Sequence, residues 1–378
     1  MITPSRRRDS YFDSEQSQES AQRPHRVDAS ELAQLAPLAE ELQRKLQGVE
    51  DGDLVAEIVQ TGLKLLRDNT NRGDLKLINK SLKEIRYALK VFAPYRDVRK
   101  VSIFGSARTP ETDPDYRAAE AFARGIARRG WMVITGAGGG IMAAGHGGAG
   151  ADPSFGLAIR LPLEQKTNRT IARDPKLINF KYFFTRKLMF VRAAHAVALF
   201  PGGFGTMDEG FEVLTLLQTG KAVPLPLVLI ERPGGDFWAS WLSYARDHLL
   251  RRGFISPTDD RLFFLADDVH RAIDHVLHFY SNYHSLRYTR HDLILRLHRA
   301  PSDSQLDQIN RDFADLSHGP FRLSGPLPIE TDEPSLAGLR RLVFAFNKHD
   351  HARLRTLIDF LNDLPVAQAS HVAQASSL

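Results

Sequence analysis

Residues 201–209 have the sequence Pro-Gly-Gly-Phe-Gly-Thr-Met-Asp-Glu, which gathers three glycines, a threonine and two carboxylic acids. Glycine has no Cβ atom, so its backbone N–H group can approach a ligand closely. The unpaired N–H groups and the dipole at a helix N-terminus favour an anion such as a phosphate. We predict a phosphate site here, in which Thr206 caps the helix and donates to the phosphate, and Asp208 and Glu209 lie in the first turn. A tight turn with acids that complement the dipole would explain one glycine and one acid, but not the whole set.

This stretch lies where a buried strand should end and a helix should begin. The apolar run 196–200 before it is short enough for a buried strand. Phe211, Leu214 and Leu217 follow at helical spacing, and Gly220 marks the end of that pattern. The glycines are therefore expected at a strand-to-helix junction.

Two further loops of small residues follow predicted strands. Residues 105–108 (Gly-Ser-Ala-Arg) follow the apolar run 101–104, and residues 135–140 (Thr-Gly-Ala-Gly-Gly-Gly) follow the run 131–134. Strands that alternate with helices indicate a parallel sheet covered on both faces, and ligands bind such sheets at the carboxyl ends of the strands. The three loops are therefore expected to converge on one crevice.

The alternation predicts an α/β fold with a Rossmann-like, doubly wound parallel sheet. Predicted strands cover 101–104, 131–134, 155–161, 196–200, 225–230 and 261–265. Predicted helices cover 114–129, a segment after 140, 183–194, 206–218, 237–250 and a segment that ends near 280.

Changes in composition divide the chain into four parts. Residues 1–28 are polar and are expected to form a disordered tail. Residues 29–96 carry three apolar helical patterns and no catalytic cluster, so packing or dimerisation is their expected role. Residues 97–281 hold the alternating pattern, and residues 282–378 are expected to form a small α+β module, ferredoxin-like or regulatory. Its predicted elements are strands at 292–297 and 342–346, helices at 302–316 and 349–361, and a frayed end from 365.

Composition excludes several classes of protein. The chain has 378 residues, 43% of them apolar and 25% charged, which is typical of a soluble globular protein of two or three domains. It has no cysteine, so disulfides, thiol nucleophiles and cysteine-based zinc sites are excluded. No apolar run approaches the ~20 residues of a membrane span, and a net charge of +5 is too small to indicate a nucleic-acid partner. We expect a cytoplasmic protein.

Two common nucleotide motifs fail in this sequence. The dinucleotide pattern G-x-G-x-x-G would need a third glycine at Ile141 or Ala143. The only Gly-Lys pair, at 220–221, is followed by Ala222, and Thr215 occupies the place of the first P-loop glycine. Histidines near one helix lack the carboxylates of a zinc site and are interpreted as structural: they are His270, His275 and His278.

The sequence resembles the LOG (Lonely Guy) family of nucleoside 5′-monophosphate phosphoribohydrolases, formerly labelled lysine decarboxylase-like. The family hallmark P-G-G-x-G-T-x-x-E is present at 201–209, and a second hallmark, an Arg-Lys pair, is present as Arg186 and Lys187. The loops at 105–108 and 135–142 and the segment 161–168 (Leu-Pro-x-Glu-Gln-x-x-Asn) are similar to further family loops. The resemblance covers about 97–280.

The resemblance implies hydrolysis of an N-glycosidic bond, to a free base and ribose 5-phosphate. It implies Glu209 as the catalytic carboxylate, which stabilises an oxocarbenium-like transition state and orients or deprotonates water. Arg186 would hold substrate oxygens and fix the geometry of that carboxylate. No metal or redox cofactor is required. The implied substrate-binding residues are Gly105, Ser106, Gly138, Gly139, Gly140, Lys187, Gly202, Gly203, Gly205 and Thr206.

The resemblance also implies a homodimer or higher homo-oligomer with the site near the subunit interface, and no nucleic-acid or membrane partner. Ala137 and Ala143 depart from residues common in the family, as do the phenylalanines around Arg186, which leaves the preferred base open: AMP or an N6-substituted AMP such as a cytokinin riboside monophosphate. Two alternatives stay open. The chain could be a nucleotide-sensing regulatory protein, or it could transfer the phosphoribosyl group to an acceptor other than water.

Overall fold

The structure is a computed structural model that describes residues 29–160 and 167–365. Compact units are formed by residues 1–80 and 81–378. The predicted tail at 1–28, most of the loop predicted at 161–168 and all but the first residue of the predicted frayed end lie outside the described residues. No helix in the described part of the chain is long and apolar enough to span a bilayer.

The first unit is helical, as predicted. It contains α1 (Ala29–Leu46), α2 (Gly52–Arg67) and the first part of α3 (Arg72–Phe92). Gly48 and Asp51 have positive φ angles, which reverses the chain between α1 and α2 and lets these helices pack antiparallel. Apolar side chains exposed on α2 are Leu54, Val55, Ile58, Val59 and Leu66.

A sheet of seven parallel strands forms the centre of the second unit and confirms the predicted fold class. The strands are β1 (Lys100–Phe104), β2 (Met132–Thr135), β3 (Ser154–Ile159), β4 (Leu177–Phe180), β5 (Ala196–Leu199), β6 (Leu227–Ile230) and β7 (Phe264–Ala266). Their order across the sheet is β4-β3-β2-β1-β5-β6-β7.

Helices cover both faces of this sheet because the strands are apolar on both sides. In β1, Val101 and Ile103 pack into one core, whereas Phe104 packs into the core on the opposite face. The helices are α4 (Pro114–Ala127), α5 (Ile141–Ala149), α6 (Phe183–Ala193), α7 (Phe204–Gln218), α8 (Phe237–Tyr244), which continues as a π-helical segment (Ala245–Leu250), and α9 (Val269–His278).

Strand order places two of the predicted loops side by side. After β1 the chain builds the sheet outward to β4, and it then returns to add β5 on the other side of β1. The pairing of Phe104 with Leu199 aligns the carboxyl ends of β1 and β5. This reversal of strand order is where ligands bind in sheets of this type.

Two strand predictions in this domain were incomplete. The edge strand β4 was not predicted, because it is four residues long and exposes Asn179 between buried neighbours. The predicted strand at 261–265 is replaced by a 3₁₀ segment (Pro257–Leu262) and the shorter β7. Ser256 and Asp259 form a capping box that starts that segment, which explains why the apolar run begins as helix.

The C-terminal module is α+β, as predicted, with an antiparallel sheet in the order β10-β11-β9-β8. Its elements are β8 (Tyr283–Tyr288), β9 (Leu293–Leu297), α10 (Asp303–Asp312), β10 (Arg322–Ser324), β11 (Arg340–Phe344) and α11 (His351–Asp363). This ββαββα order differs from the βαββαβ order of a ferredoxin-like fold, so that part of the prediction was wrong. The predictions also missed β8 and β10.

Candidate active site

A cavity of about 860 Å³ opens at the carboxyl ends of β1, β2 and β5. The three loops that were expected to converge all contribute to its wall, together with the first turns of α6 and α7. Predicted site residues that line it are Gly105, Ser106, Gly138, Arg186, Gly202, Gly203, Gly205, Thr206 and Glu209.

Helix α7 begins earlier than the sequence suggested. Phe204 is its first residue and Gly203 occupies the N-cap position, so the prediction that Thr206 caps the helix was wrong. The N–H of Thr206 donates to the Gly203 carbonyl at 3.0 Å, while its buried side chain still lines the cavity. Asp208 and Glu209 consequently lie in the second turn rather than the first.

The glycines of the 201–205 loop serve different purposes. A Cβ atom at Gly202 would lie 2.1 Å from Thr206 Oγ1 and 2.9 Å from the Ser106 backbone nitrogen, so this glycine lets two loops meet. Gly203 and Gly205 have open space where a Cβ would be. The N–H groups of Phe204 and Gly205 begin the helix and have no carbonyl four residues earlier within it, which makes them donors for an anion.

Glycines of the first two loops pack those loops together. A Cβ at Gly105 would lie 2.6 Å from the Ile141 side chain. Gly140 has a φ of +58°, and a Cβ there would lie 2.2 Å from the Ser106 carbonyl oxygen. Gly139 and Gly140 are not among the residues that line the cavity, and Gly140 packs closely against the first loop. Their contact with a substrate stays a prediction.

Asn168 and His146 hold the second loop in place. The Asn168 side chain donates to the Gly138 carbonyl at 3.0 Å, and its backbone N–H donates to Ala137, whose φ is +65°. The buried His146 ring lies 3.2 Å from Thr135 Oγ1 and 3.0 Å from the Phe155 carbonyl. Burial lowers the pKa of His146, so its ring is neutral and acts as a structural support.

Glu209 is a buried carboxylate with an unsatisfied oxygen. The residue is 4% exposed, and Oε2 has no hydrogen-bond partner among the described residues. Burial raises the pKa of Glu209 to about 7, although the charges of Lys187 and Arg186 oppose the shift. A carboxyl group with a pKa near neutrality is well suited to accept a proton.

Arg186 faces Glu209 without forming a close ion pair. Arg186 Nη2 lies 3.9 Å from Glu209 Oε1, and the buried Arg186 Nε has no partner among the described residues. The guanidinium lies 5.1 Å from the ring centre of Phe183 and 5.6 Å from that of Phe190. These rings fix the cation beside the cavity by cation–π contact, so it can bind substrate oxygens instead of neutralising the carboxylate.

Lys187 is not among the residues that line the cavity, and its role in substrate binding stays a prediction. Its ammonium lies 2.9 Å from Asp208 and 2.6 Å from Glu212, both on α7. Residues 186 and 187 are adjacent on α6, and the helix therefore turns their side chains to different sides. Lys187 ties α6 to α7 and contributes positive charge near Glu209.

Glu84 was not predicted and positions the start of α6. It is buried, and its carboxylate accepts hydrogen bonds from the Lys181 N–H and from Thr185 Oγ1, both at 2.8 Å. No side chain of α6 itself caps that helix. A carboxylate at a helix N-terminus satisfies free donors and complements the dipole. Because Glu84 lies about a hundred positions earlier, in α3, no local sequence pattern could have revealed this contact.

The apolar wall of the cavity was also not predicted from the sequence. Aromatic and methionine side chains supply most of it, and Arg108 adds an exposed positive charge. The Phe-Phe-Thr-Arg-Lys-Leu-Met-Phe run at 183–190 was the available signal, because two of its phenylalanines flank Arg186. The cavity residues that were not predicted include Arg108, Met142, Phe183, Phe190, Met207 and Phe237.

No metal site accompanies this arrangement in residues 29–160 and 167–365. Groups of three or more His, Asp or Glu side chains that could hold a metal ion are absent there. The charged side chains that line the cavity are Arg108, Arg186 and Glu209.

Comparisons with known proteins match the part of the chain that supplies Arg186 and Glu209. A family model described as "possible lysine decarboxylase" matches residues 139–276. The chain is 29% identical over 177 residues to the cytokinin riboside 5′-monophosphate phosphoribohydrolase of Mycobacterium tuberculosis, a match that covers 46% of this chain and 90% of that protein. The parallel-sheet domain is thus similar to members of the LOG family, and we call it the LOG domain below because of this similarity.

A second LOG relative is the probable cytokinin riboside 5′-monophosphate phosphoribohydrolase LOGL3 of Oryza sativa subsp. japonica. It is 33% identical over 100 residues, which is 26% of this chain and 44% of that protein. Among solved structures, the chain aligns with the Moco carrier protein of Chlamydomonas reinhardtii at 21% identity, over 48% of this chain and 96% of that chain, with a TM-score of 0.33.

Proposed function

We propose that the LOG domain hydrolyses the N-glycosidic bond of a nucleoside 5′-monophosphate to a free base and ribose 5-phosphate. AMP and N6-substituted AMP, such as a cytokinin riboside monophosphate, are the proposed substrates. The names of the relatives from M. tuberculosis and O. sativa support a phosphoribohydrolase that acts on this kind of nucleotide.

The main support for the proposal is the position of Glu209 relative to the 201–205 loop, which we call the phosphate loop. Glu209 lies about one turn beyond Gly205 and Thr206 on α7, whose N-cap is Gly203, and all four residues line one cavity. A 5′-phosphate at the N-terminus of α7 would receive backbone N–H donors and the Thr206 hydroxyl. The ribose would then extend from the phosphate toward the Glu209 carboxylate.

Glu209 and Arg186 have complementary roles in the proposed reaction. As the bond between C1′ and the base nitrogen breaks, positive charge develops on the ribose, and the Glu209 carboxylate stabilises it. Water then forms a bond to C1′ and its proton passes to Glu209, which releases it to solvent or to the leaving base. Arg186 holds substrate oxygens and keeps the sugar aligned with the carboxylate. The leaving base takes up one proton, which balances the hydrolysis.

The apolar wall supports a nucleobase as the other end of the ligand. Phe183, Phe190 and Met142 offer flat or polarisable surfaces for stacking a purine ring beside the ribose site. Few side chains of the wall can read individual hydrogen-bonding groups of the base, which is compatible with both AMP and an N6-substituted base.

Product analysis tests the proposal directly. The full chain is incubated with a panel of nucleoside 5′-monophosphates that includes AMP and N6-isopentenyl-AMP, and free base and ribose 5-phosphate are quantified. Equal amounts of the two products support hydrolysis. Nucleotide binding without base release would favour a sensing protein, and base release without ribose 5-phosphate would favour phosphoribosyl transfer to another acceptor.

We infer that the LOG domain works as a homodimer or higher homo-oligomer, because exposed apolar side chains surround the cavity and the adjacent faces of α6 and α7. Phe204 in the phosphate loop is 96% exposed, which is unusual for an aromatic residue at a site of this kind. A second copy packed there would cover these side chains and exclude water from the cavity. Light scattering of Leu188→Glu should give a smaller particle than the wild type, and an unchanged mass would contradict this. The exposed apolar residues are Phe183, Phe184, Leu188, Phe204, Phe211 and Val223.

A further inference from the structure

A group of basic side chains lies at the opposite edge of the parallel sheet from the cavity. Arg99 precedes β1, His195 precedes β5, His284 is in β8, and His298 and Arg299 follow β9. We call these five residues the junction cluster, because they come from both the LOG domain and the C-terminal module. They share no element with the proposed active site.

Contacts join Arg99 to His195 through Tyr280, and they join His284 to His298. Asn282, two residues after Tyr280, accepts hydrogen bonds from the backbone N–H groups of His298 and Arg299. The Arg99 guanidinium lies 3.5 Å from the ring centre of Tyr280, and the Tyr280 hydroxyl donates to the His195 carbonyl at 2.7 Å. The rings of His284 and His298 are 5.6 Å apart. The five residues range from half-buried to exposed, so the patch is accessible from solvent.

Positive groups dominate the charges within the patch. Lys100, Arg99 and His284 face His195, and Arg99 and Arg299 face His298. Arg99, His298 and Arg296 face His284, together with the Glu333 carboxylate. That carboxylate is already paired with Arg296 and Arg287. The titratable groups that face Arg99 are the phenols of Tyr280 and Tyr283, which are neutral at physiological pH.

This arrangement suppresses protonation of the imidazoles. Burial, together with these cations, lowers the pKa of His195 and of His284 to about 4, and it also lowers the pKa of His298. A partly desolvated group of cations is unfavourable until an anion compensates its charge. A bound anion would raise the three pKa values, so binding and proton uptake would be coupled.

We propose that the junction cluster binds a small anion that carries two adjacent phosphates. Guanidinium groups form paired hydrogen bonds with phosphate oxygens, and Arg99 and Arg299 provide one such group from each side of the junction. Arg299 Nη1 donates to the Ser281 carbonyl at 3.1 Å, so its other nitrogens would face the anion. His195 Nδ1 accepts from the Lys100 N–H at 3.2 Å, so His284 and His298 are the imidazoles that would gain protons. The four residues of β5 separate this edge from the 201–205 loop by about 13 Å, so the ligand is distinct from a nucleotide in the cavity.

Isothermal titration of the full chain with inorganic pyrophosphate tests this proposal, which does not depend on the proposed hydrolysis. The triple variant Arg99→Gln/His284→Gln/His298→Gln should bind pyrophosphate at least about tenfold more weakly than wild type. Arg290→Gln, which removes an exposed arginine of the β8–β9 turn, and Arg186→Gln in the cavity should both bind like wild type. Equal binding by the triple variant, or loss of binding in Arg186→Gln, would overturn the proposal.

Proton uptake provides a second readout that does not depend on the triple variant folding. Titrations at pH 6.5 in buffers with different ionisation enthalpies measure the protons taken up with each pyrophosphate. Wild type should take up more protons than His298→Gln, which changes one exposed ring. Identical proton uptake in the two proteins would contradict a role for the histidines and overturn the proposed site.

Discussion

Arg186 Nη2 lies 3.9 Å from Glu209 Oε1, which is too far for a hydrogen bond and close enough for the two charges to interact. Phe183 and Phe190 hold the guanidinium at this distance. A tight salt bridge would keep the carboxylate ionised but would engage the groups that the reaction needs. Because the two groups are 3.9 Å apart, the pKa of Glu209 stays raised and the N–H groups of Arg186 stay available to a substrate.

The pH dependence of the reaction should follow Glu209. Its pKa is raised to about 7, and the proposed reaction requires the carboxylate form, so kcat/KM should rise as pH increases through about 7 and then level off. Initial rates of adenine release from AMP between pH 5.5 and 9 measure this limb. A rate that is constant over that range, or that falls above pH 7, would contradict the assignment.

Lys187→Gln should shift the rise in kcat/KM to higher pH while leaving the plateau value nearly unchanged. The positive charge of Lys187 lowers the pKa of Glu209, but the side chain does not line the cavity. Removing it therefore alters the titration more than substrate contact. Lys221→Gln, which removes an exposed lysine elsewhere, is the matched control and should keep the wild-type profile. A large loss of plateau rate in Lys187→Gln would show that the lysine contacts the substrate.

Glu209→Gln should stabilise the folded protein at alkaline pH. The folded-state pKa of Glu209 is raised from 4.5 to about 7, so the wild type loses stability as pH rises from about 4.5 through 7. Glutamine cannot ionise, so the variant should exceed wild type by about 1–3 kcal/mol in unfolding free energy at pH 8, and by much less at pH 5. Urea unfolding at the two pH values measures the difference. A variant that is less stable than wild type at pH 8 would show that the carboxylate is satisfied in the fold.

Substitutions at two neighbouring glycines should separate loop packing from ligand binding. Gly202→Ala places a Cβ 2.1 Å from Thr206 Oγ1, so it should lower the unfolding free energy by about 1–3 kcal/mol and also reduce kcat/KM. Gly203→Ala meets no atom within 4 Å and should unfold like wild type. Any effect of the second change should fall mainly on KM, because its methyl group lies beside the phosphate position. Thermal unfolding and steady-state kinetics compare the pair, and equal destabilisation by both would contradict the described loop geometry.

The sequence predicted the parts of the fold that depend on local pattern. Apolar runs followed by glycine-containing segments predicted β1, β2 and β5 and the loops after them. The geometry of a parallel sheet then predicted that these loops lie at one edge. The LOG resemblance predicted that Arg186 and Glu209 belong to the same site, and both residues line the cavity at that edge. The catalytic roles of these two residues stay predictions.

Features that depend on distant contacts could not be predicted. Glu84 meets Thr185 only because α3 packs beside the start of α6. The start of α7 at Phe204 rather than at Thr206 depends on backbone angles that glycine permits but does not specify. The ion pairs of Lys187 with Asp208 and Glu212 could not be predicted either, because adjacency to Arg186 in sequence says little about which neighbours a side chain meets. The edge strand β4 was too short to give a periodic signal.

The most direct test of the proposed function is single-turnover release of adenine from AMP at pH 8 by wild type and by Glu209→Gln, with AMP binding measured in parallel by titration calorimetry. The structure leads us to expect release by the wild type and a loss of at least about a hundredfold in the variant, with AMP affinity nearly unchanged. Release at the wild-type rate by Glu209→Gln would contradict the central role of this carboxylate, and absence of release by the wild type from every monophosphate in the panel would contradict the proposed hydrolysis itself.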